Sequence, residues 1–177
     1  MKEENNVIFR EVQRFHQWWL RLINIGTPVF IVSLFGYGMV QQLVFGKPWG
    51  DRPMSDIALL VTGICAILFG IAIFALLEST KLITEVRQDG LYIRYVPFHW
   101  SFRRIPLENV VRCESRTYRP IREYGGWGIR WARKGRAYNV TGNRGVRIDY
   151  ENGRHILIGS HKADELAEAV RQRLSPG

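Results

Sequence analysis

The chain has little cysteine, and the two cysteines it contains do not form a recognisable site. Cys65 and Cys113 are the only cysteines among 177 residues. They lack the paired spacings of a zinc site and the number needed for a disulfide framework. Cys65 lies in an apolar stretch and Cys113 in an alternating, strand-like one. We therefore expect two unpaired thiols, no disulfide and no metal site.

Sequence motifs of catalysis are also lacking. The histidines, His16, His99, His155 and His161, are scattered, without a cysteine or carboxylate partner at ligand spacing. The glycine-rich segment 125–128 lacks the Gly-Lys-Ser/Thr ending of a phosphate-binding loop. No nucleophile elbow and no paired-carboxylate motif is present in the sequence. These absences predict a protein that is not an enzyme and that carries no cofactor.

Charged residues are missing from two long stretches, Leu22–Val40 and Ile57–Leu77. A helix needs about 20 apolar residues to cross the hydrocarbon core of a bilayer. A short polar connector, residues 47–53, separates the stretches, so we predict a transmembrane hairpin over residues 22–77, with helices at about 22–44 and 56–77. Transport usually requires ionisable groups inside the membrane, and their absence favours an anchor.

The segment before the first span, residues 1–21, is charged and has no continuous apolar run, which is unlike a cleavable signal peptide. Its apolar residues recur at spacings of three and four, so we predict a helical segment lying at the membrane interface. Trp18 and Trp19 in this segment, and Trp49 in the connector, are predicted interfacial anchors.

Positive charge predicts how the hairpin is oriented. Lysine and arginine are more frequent on the two outer flanks than in the connector, which places both termini in the cytoplasm by the positive-inside rule. Residues 78–177 contain 19 Lys/Arg and 11 Asp/Glu, so they carry +8 of the chain's net charge of +9. We expect a multi-pass protein of the cell (inner) membrane with a basic cytoplasmic domain over residues 78–177.

The hydrophobic pattern after Lys81 has a period of two, which is typical of strands. Asp89-Gly90 and Asn152-Gly153 are hairpin turn signals. We predict about seven antiparallel strands, with loops at 97–101 and 120–126. A final helix is predicted after Ser160, whose hydroxyl can accept from a free amide of the first turn. The fold class is therefore α+β, with a curved sandwich or barrel capped by a C-terminal helix.

The last third of this pattern carries a resemblance to a known type of domain. The segments Gly145–Ile148, Asn152–Arg154 and Ile156–Ser160, followed by the Asp164-Glu165-Leu166 helix, resemble bacterial pleckstrin-homology-like (PH-like) domains. The entering sequence Phe15–Trp19 is similar to that of uncharacterised small prokaryotic membrane proteins with a two-helix hairpin and such a domain. The resemblance implies a fold and a location, since the family has no settled activity. The loop between the first two strands is Gln88-Asp89-Gly90 and lacks the basic residues of phosphoinositide-binding relatives.

Basic residues are concentrated in the middle of the predicted domain, with Tyr118, Tyr124, Trp127 and Trp131 among them. Anionic lipid headgroups, an acidic peptide or partner protein, and single-stranded nucleic acid are three ligands that such a surface suits, nucleic acid least. A solvated positive surface that follows the positive-inside bias is the fourth interpretation. The candidate residues are Arg103, Arg104, Arg116, Arg119, Arg122, Arg130, Arg133, Lys134 and Arg136.

The sequence thus predicts a non-catalytic integral membrane protein that displays a basic PH-like interaction module at the inner membrane surface. The alternative is a structural or assembly subunit of a membrane complex, in which the helices make homo- or hetero-oligomeric contacts.

Overall fold

The computed structural model describes residues 7–15, 17–132 and 135–174, and the chain divides into two compact units. We call residues 17–79 the helical unit. The second unit combines residues 7–15 with residues 80–174, and we call it the β unit. The helical unit is thus inserted into the sequence of the β unit. The domain predicted over residues 78–177 therefore lacks its first segment.

The helical unit consists of two long apolar helices. Helix α1 (Trp18–Met39) continues into a π-helical turn over Val40–Val44, and helix α2 covers Asp56–Ser79. Both helical stretches are long and apolar enough to span a membrane. At 1.5 Å per residue α2 is about 36 Å long, compared with about 30 Å for a hydrocarbon core. These bounds agree closely with the predicted helices.

Small residues bring α1 and α2 together. Gly63 lies against the side chains of Phe35 and Met39, and Gly70 lies against Pro28. Little of either helix is covered by this packing, since only 11% and 17% of their most apolar windows is buried. The outer faces of the hairpin therefore present apolar side chains to their surroundings.

The β unit contains two sheets and a C-terminal helix. The first sheet has the order β1-β2-β3-β4, and all its neighbouring strands are antiparallel. The second has the order β5-β8-β9-β7-β6, in which only the β7–β9 pair is parallel. The strands are β1 (Val7–Arg14), β2 (Lys81–Arg87), β3 (Gly90–Val96), β4 (Arg103–Ile105), β5 (Val110–Thr117), β6 (Gly128–Ala132), β7 (Gly135–Asn139), β8 (Arg144–Tyr150) and β9 (His155–Gly159).

The prediction for the N-terminal segment is wrong over residues 7–14, which form a strand of the β unit and not an interfacial helix. Strand β1 pairs antiparallel with β2, with Phe9 opposite Val86 and Arg14 opposite Lys81. Its buried face alternates as Phe9, Glu11 and Gln13. Two of these three side chains are polar, so the period of two is hidden in the sequence, and the helical spacing of the apolar residues was misleading.

Long-range hydrogen bonds hold β1 in place. The Gln13 side-chain amide donates to the carbonyl oxygen of Gly159 at 2.7 Å. The Glu11 carboxylate accepts from the Ser160 hydroxyl and, at 2.9 Å, from the backbone amide of His161. The Ser160 hydroxyl, predicted to accept from an amide of the first turn, accepts from the backbone amide of Lys162 at 3.0 Å, one residue before the final helix begins at Ala163. The strand before the helical unit is therefore fastened to the start of the final helix.

The core of the β unit lies between the two sheets and helix α4 (Ala163–Leu174). Leu82 and Ile93 of the first sheet and Ile148 of the second belong to one buried cluster with Leu166 and Val170 of α4. Helix α4 has acidic residues in its first turn and arginines in its last, as the helix dipole favours.

Two further details differ from the prediction. Eight strands follow Lys81 in the described chain where about seven were predicted, and β1 adds a ninth. Residues 120–124, in the predicted loop 120–126, form the short helix α3 (Pro120–Tyr124). Proline favours the first turn of such a helix, and Gly125 ends it with a φ of 71°, in the left-handed region that favours glycine.

Candidate functional site

A groove with a volume of about 960 Å³ lies in the β unit. Residues from three parts of the chain that are distant in sequence line it: most of 103–109, some of 131–138, and all of 150–156. The first part includes β4, an edge strand of the first sheet, and the second includes the end of β6, an edge strand of the other sheet. Both edge strands thus contribute to one concave surface, which we call the basic groove.

Four arginines give the basic groove its charge. Arg103, Arg104, Arg136 and Arg154 line it and are exposed. Glu108 and Glu151 are its acidic residues among those described, so the lining carries a net charge of +2. The ion pair of Arg104 with Glu108 is 3.5 Å long and lies in solvent, where such a pair contributes little. The arginines therefore remain available to an anionic ligand.

An aromatic side chain lies beside these charges. The Trp131 side chain lines the basic groove and is 69% exposed. The guanidinium carbon of Arg136 lies 5.6 Å from the centroid of the Trp131 ring, within the range of a cation–π contact. This pair combines the apolar face of an indole with a guanidinium group whose N–H groups can donate to a ligand. It therefore suits a ligand with both apolar and anionic groups.

The inner surface of the groove holds groups that are uncharged at neutral pH. Burial raises the pKa of Tyr150 to about 12, and its hydroxyl donates to the carbonyl oxygen of Pro106 at 2.8 Å. Burial, and after it the charge of Arg147, lowers the pKa of His155 below its usual value. The His155 ring Nε2 lies 3.3 Å from the Tyr124 hydroxyl. Positive charge in the described lining of the groove at neutral pH thus comes from the arginines.

Of the predicted basic residues that the structure describes, three lie together and four lie elsewhere. Arg103, Arg104 and Arg136 line the basic groove, while Arg133 and Lys134 lie outside the described residues.

The remaining basic candidates lie near α3 and β6. Arg116 forms an ion pair of 2.9 Å with Glu123, and Arg119 precedes α3 with its backbone amide donating to Glu123 at 2.7 Å. Arg122 is exposed on α3. Arg130 donates through Nε to the carbonyl oxygen of Trp127 at 2.9 Å. Much of this second group therefore contributes to local structure.

The predicted tryptophan anchors differ in their surroundings. Trp18 and Trp19 are the first residues of α1, and their side chains are 73% and 39% exposed. Trp49 packs within the helical unit, where its ring centroid lies 6.1 Å from that of Phe35. A Cβ atom added to Gly38 would lie 2.5 Å from Cε3 of Trp49, so this glycine makes room for the indole. Trp49 thus has a packing role inside the hairpin.

Arg154 and the exposed face of Trp131 complete the groove but were not selected from the sequence as site residues. Arg154 lies in the turn between β8 and β9, and its sequence context is that of an ordinary exposed turn residue. Only the pairing of the strands brings it near residues 103–109 and 136. No local spacing in the sequence signals this proximity.

Comparison with known proteins identifies a family. A model described as a family of unknown function, DUF6141, matches residues 1–175, so the chain belongs to this family. No curated protein and no solved structure matches the chain.

Proposed function

We propose that this protein is a non-catalytic membrane protein whose β unit binds an acidic segment of a protein partner in the basic groove. The insertion of two helices with long charge-free central stretches between paired strands carries the membrane part of the proposal. Since β1 and β2 lie side by side, the chain leaves the β unit and returns to it at adjacent positions. A hairpin that crosses a membrane twice satisfies this constraint, and the positive-inside rule then places both termini in the cytoplasm, at the inner membrane.

The arrangement of two sheets around a C-terminal helix supports a PH-like fold for the β unit. Extended peptides commonly bind by adding to an exposed sheet edge, with alternate side chains entering neighbouring pockets. The basic groove has the edge strands β4 and β6 in its walls. An acidic segment with an aromatic or aliphatic residue would pair with the arginines and cover Trp131. A single lipid headgroup would fill less of a groove of about 960 Å³.

A peptide titration tests this binding. The full chain is held in nanodiscs of neutral lipid, and a fluorescein-labelled peptide of alternating glutamate and valine is the probe. The groove variant carries Arg136→Glu and Arg154→Glu. The matched control carries Arg122→Glu and Arg173→Glu, which change the net charge equally at exposed positions outside the groove lining.

We expect the groove variant to bind the peptide about tenfold more weakly than the control, a difference of about 1.4 kcal/mol. Equal affinities of the two variants would contradict a groove-specific site and leave only general charge attraction. A groove variant that keeps its affinity for the peptide but, unlike the control, no longer binds an added soluble anionic lipid would assign the groove to lipid headgroups instead.

The alternative, an assembly subunit of a membrane complex, is favoured by the exposed apolar faces of α1 and α2. Cross-linking of the full chain in native membranes distinguishes the two functions. A defined homo- or hetero-oligomer linked through α1 or α2 supports the assembly role, whereas an anchored binding protein needs no helix-mediated contact.

A further inference from the structure

A short loop of the β unit exposes two aromatic side chains that the basic groove does not use. Residues 97–102 connect β3 to β4, and we call them the aromatic loop. The Trp100 side chain is 93% exposed, and that of Phe98 is 56% exposed. Exposing large aromatic groups to water is unfavourable, so two of them in one short loop indicate a surface that contacts something apolar.

Their exposure is built into the structure of the loop. His99, between them, is only 5% exposed. Its ring Nδ1 accepts from the backbone amide of Tyr95 at 3.2 Å, and its own amide donates to the carbonyl oxygen of Tyr95 at 2.8 Å. The His99 ring also packs edge-on against Tyr138, with 6.1 Å between centroids. Because His99 is held inward, Phe98 and Trp100 are held outward.

The register of the first sheet places this loop at a particular end of the β unit. Val96, the last residue before the loop, lies opposite Lys81, and Lys81 lies opposite Arg14. Arg14 and Lys81 are also the residues of this sheet nearest in sequence to α1 and α2. The aromatic loop thus lies at the sheet end where the chain passes to and from the apolar helices.

Positive charge surrounds the same end. Arg94 lies on β3 and donates through Nε to the carbonyl oxygen of His99 at 3.3 Å. Arg103 directly follows the loop and is exposed. Together with Arg14 and Lys81, these residues bring four cations to the sheet end that bears the exposed aromatics. Aromatic rings flanked by cations are typical of protein surfaces at the headgroup level of a membrane.

We propose that the aromatic loop inserts Phe98 and Trp100 into the headgroup region of the bilayer that holds the helical unit. This inference rests on the membrane insertion proposed above and adds a second contact with the lipid. The indole suits this region because its apolar body lies among acyl chains while its N–H reaches water or a headgroup. Arg94 and Arg103 lie on either side of the aromatic loop in the sequence, so they can bind anionic lipids at the same surface.

Depth-dependent quenching tests the proposal. Trp100→Cys, Leu68→Cys and Ile121→Cys are made separately in a Cys65→Ser background and labelled with an environment-sensitive fluorophore. Leu68 lies near the middle of α2, and Ile121 is a 69% exposed residue of α3. Cys113 stays unlabelled because it is buried and burial raises its pKa to about 11. Each labelled full chain is placed in nanodiscs whose lipids carry a nitroxide either just below the headgroup or near the bilayer centre.

We expect the label at position 100 to lose most fluorescence with the shallow nitroxide and the label at position 68 with the deep one. The label at position 121 should keep its fluorescence with both. Quenching at 68 without quenching at 100 would overturn the aromatic-loop proposal but not the membrane hairpin. Phe98 and Trp100 would then contact something other than the bilayer. Absence of quenching at 68 would overturn both.

Discussion

At the residue scale, buried polar side chains position the parts of the β unit that sequence patterns do not. Glu11 and Gln13 are polar, yet both lie on the inward face of β1, where they are only 9% and 2% exposed. Their partners, Gly159, Ser160 and His161, are nearly 150 residues away in sequence. Leaving a buried acceptor without its donors costs about 1–3 kcal/mol of folding stability, so these contacts fix the position of β1. No rule based on hydrophobic spacing identifies residues of this kind.

Protonation of His99 should destabilise the β unit. Burial, and after it the charge of Arg103, lowers the pKa of His99 below 6.5 in the folded state. The unfolded chain therefore binds this proton more readily, and the contribution of His99 to stability is complete above about pH 6.5 and is lost as the pH falls through the folded-state value. His155, whose pKa is also lowered, acts in the same direction.

We expect the melting temperature of the detergent-solubilised protein to fall between about pH 7 and pH 5. The melting temperature of His99→Asn should fall less steeply, because asparagine keeps an acceptor for the Tyr95 amide but does not titrate in this range. The control is His161→Asn, at an exposed position. Identical pH slopes for wild type and His99→Asn would contradict the assigned role of His99.

At the scale of elements, the sequence predicted those with a strong local period and missed those without one. The two apolar helices, the hairpin turns at Asp89-Gly90 and Asn152-Gly153, and α4 were predicted because each has its signal within a few residues. Strand β1 was missed because Glu11 and Gln13 interrupt its apolar face. Three of the predicted basic residues, Arg103, Arg104 and Arg136, lie in the basic groove. The groove itself was not predictable, because its shape depends on the order of the strands and on the position of Arg154.

Close packing in the helical unit makes two neighbouring glycines of α1 respond differently to substitution. A Cβ at Gly38 would overlap the Trp49 indole, whereas a Cβ at Gly36 has no neighbour within 4 Å among the described residues. Alanine favours a helix by about 1 kcal/mol over glycine, but overpacking costs roughly 1–3 kcal/mol. We expect Gly38→Ala to melt below wild type in detergent and Gly36→Ala to melt at or above it. The reverse order would contradict the packing of Trp49.

Strand β1 should be required for the β unit to fold. Residues 80–177 expressed alone leave the edge of β2 unpaired and remove Glu11 from the start of α4. A second fragment joins Val7–Arg14 to Lys81 through a short Gly/Ser linker, which suffices because Arg14 and Lys81 are opposite each other. We expect one cooperative thermal transition for the joined fragment and a lower, broader one, or aggregation, for residues 80–177. Equal melting temperatures would show that β1 is dispensable.

At the scale of the whole molecule, the chain is a β unit interrupted by a hairpin of two apolar helices. This organisation differs from the predicted succession of an interfacial segment, a hairpin and a domain, because residues 7–15 of the first segment belong to the domain. Pairing of β1 with β2 brings the beginning and the end of the inserted sequence to neighbouring positions. If the hairpin spans a membrane, the β unit lies on one side and the connector on the other.

The central claim is therefore tested most directly by the sidedness of labelling in spheroplasts. Asp51→Cys places a thiol in the exposed connector and Arg122→Cys places one on the exposed face of α3, each in a Cys65→Ser background. A membrane-impermeant maleimide should label position 51 in intact spheroplasts and position 122 only after lysis. Labelling of position 122 alone before lysis would reverse the proposed orientation, and labelling of both or of neither before lysis would contradict a hairpin that crosses the membrane.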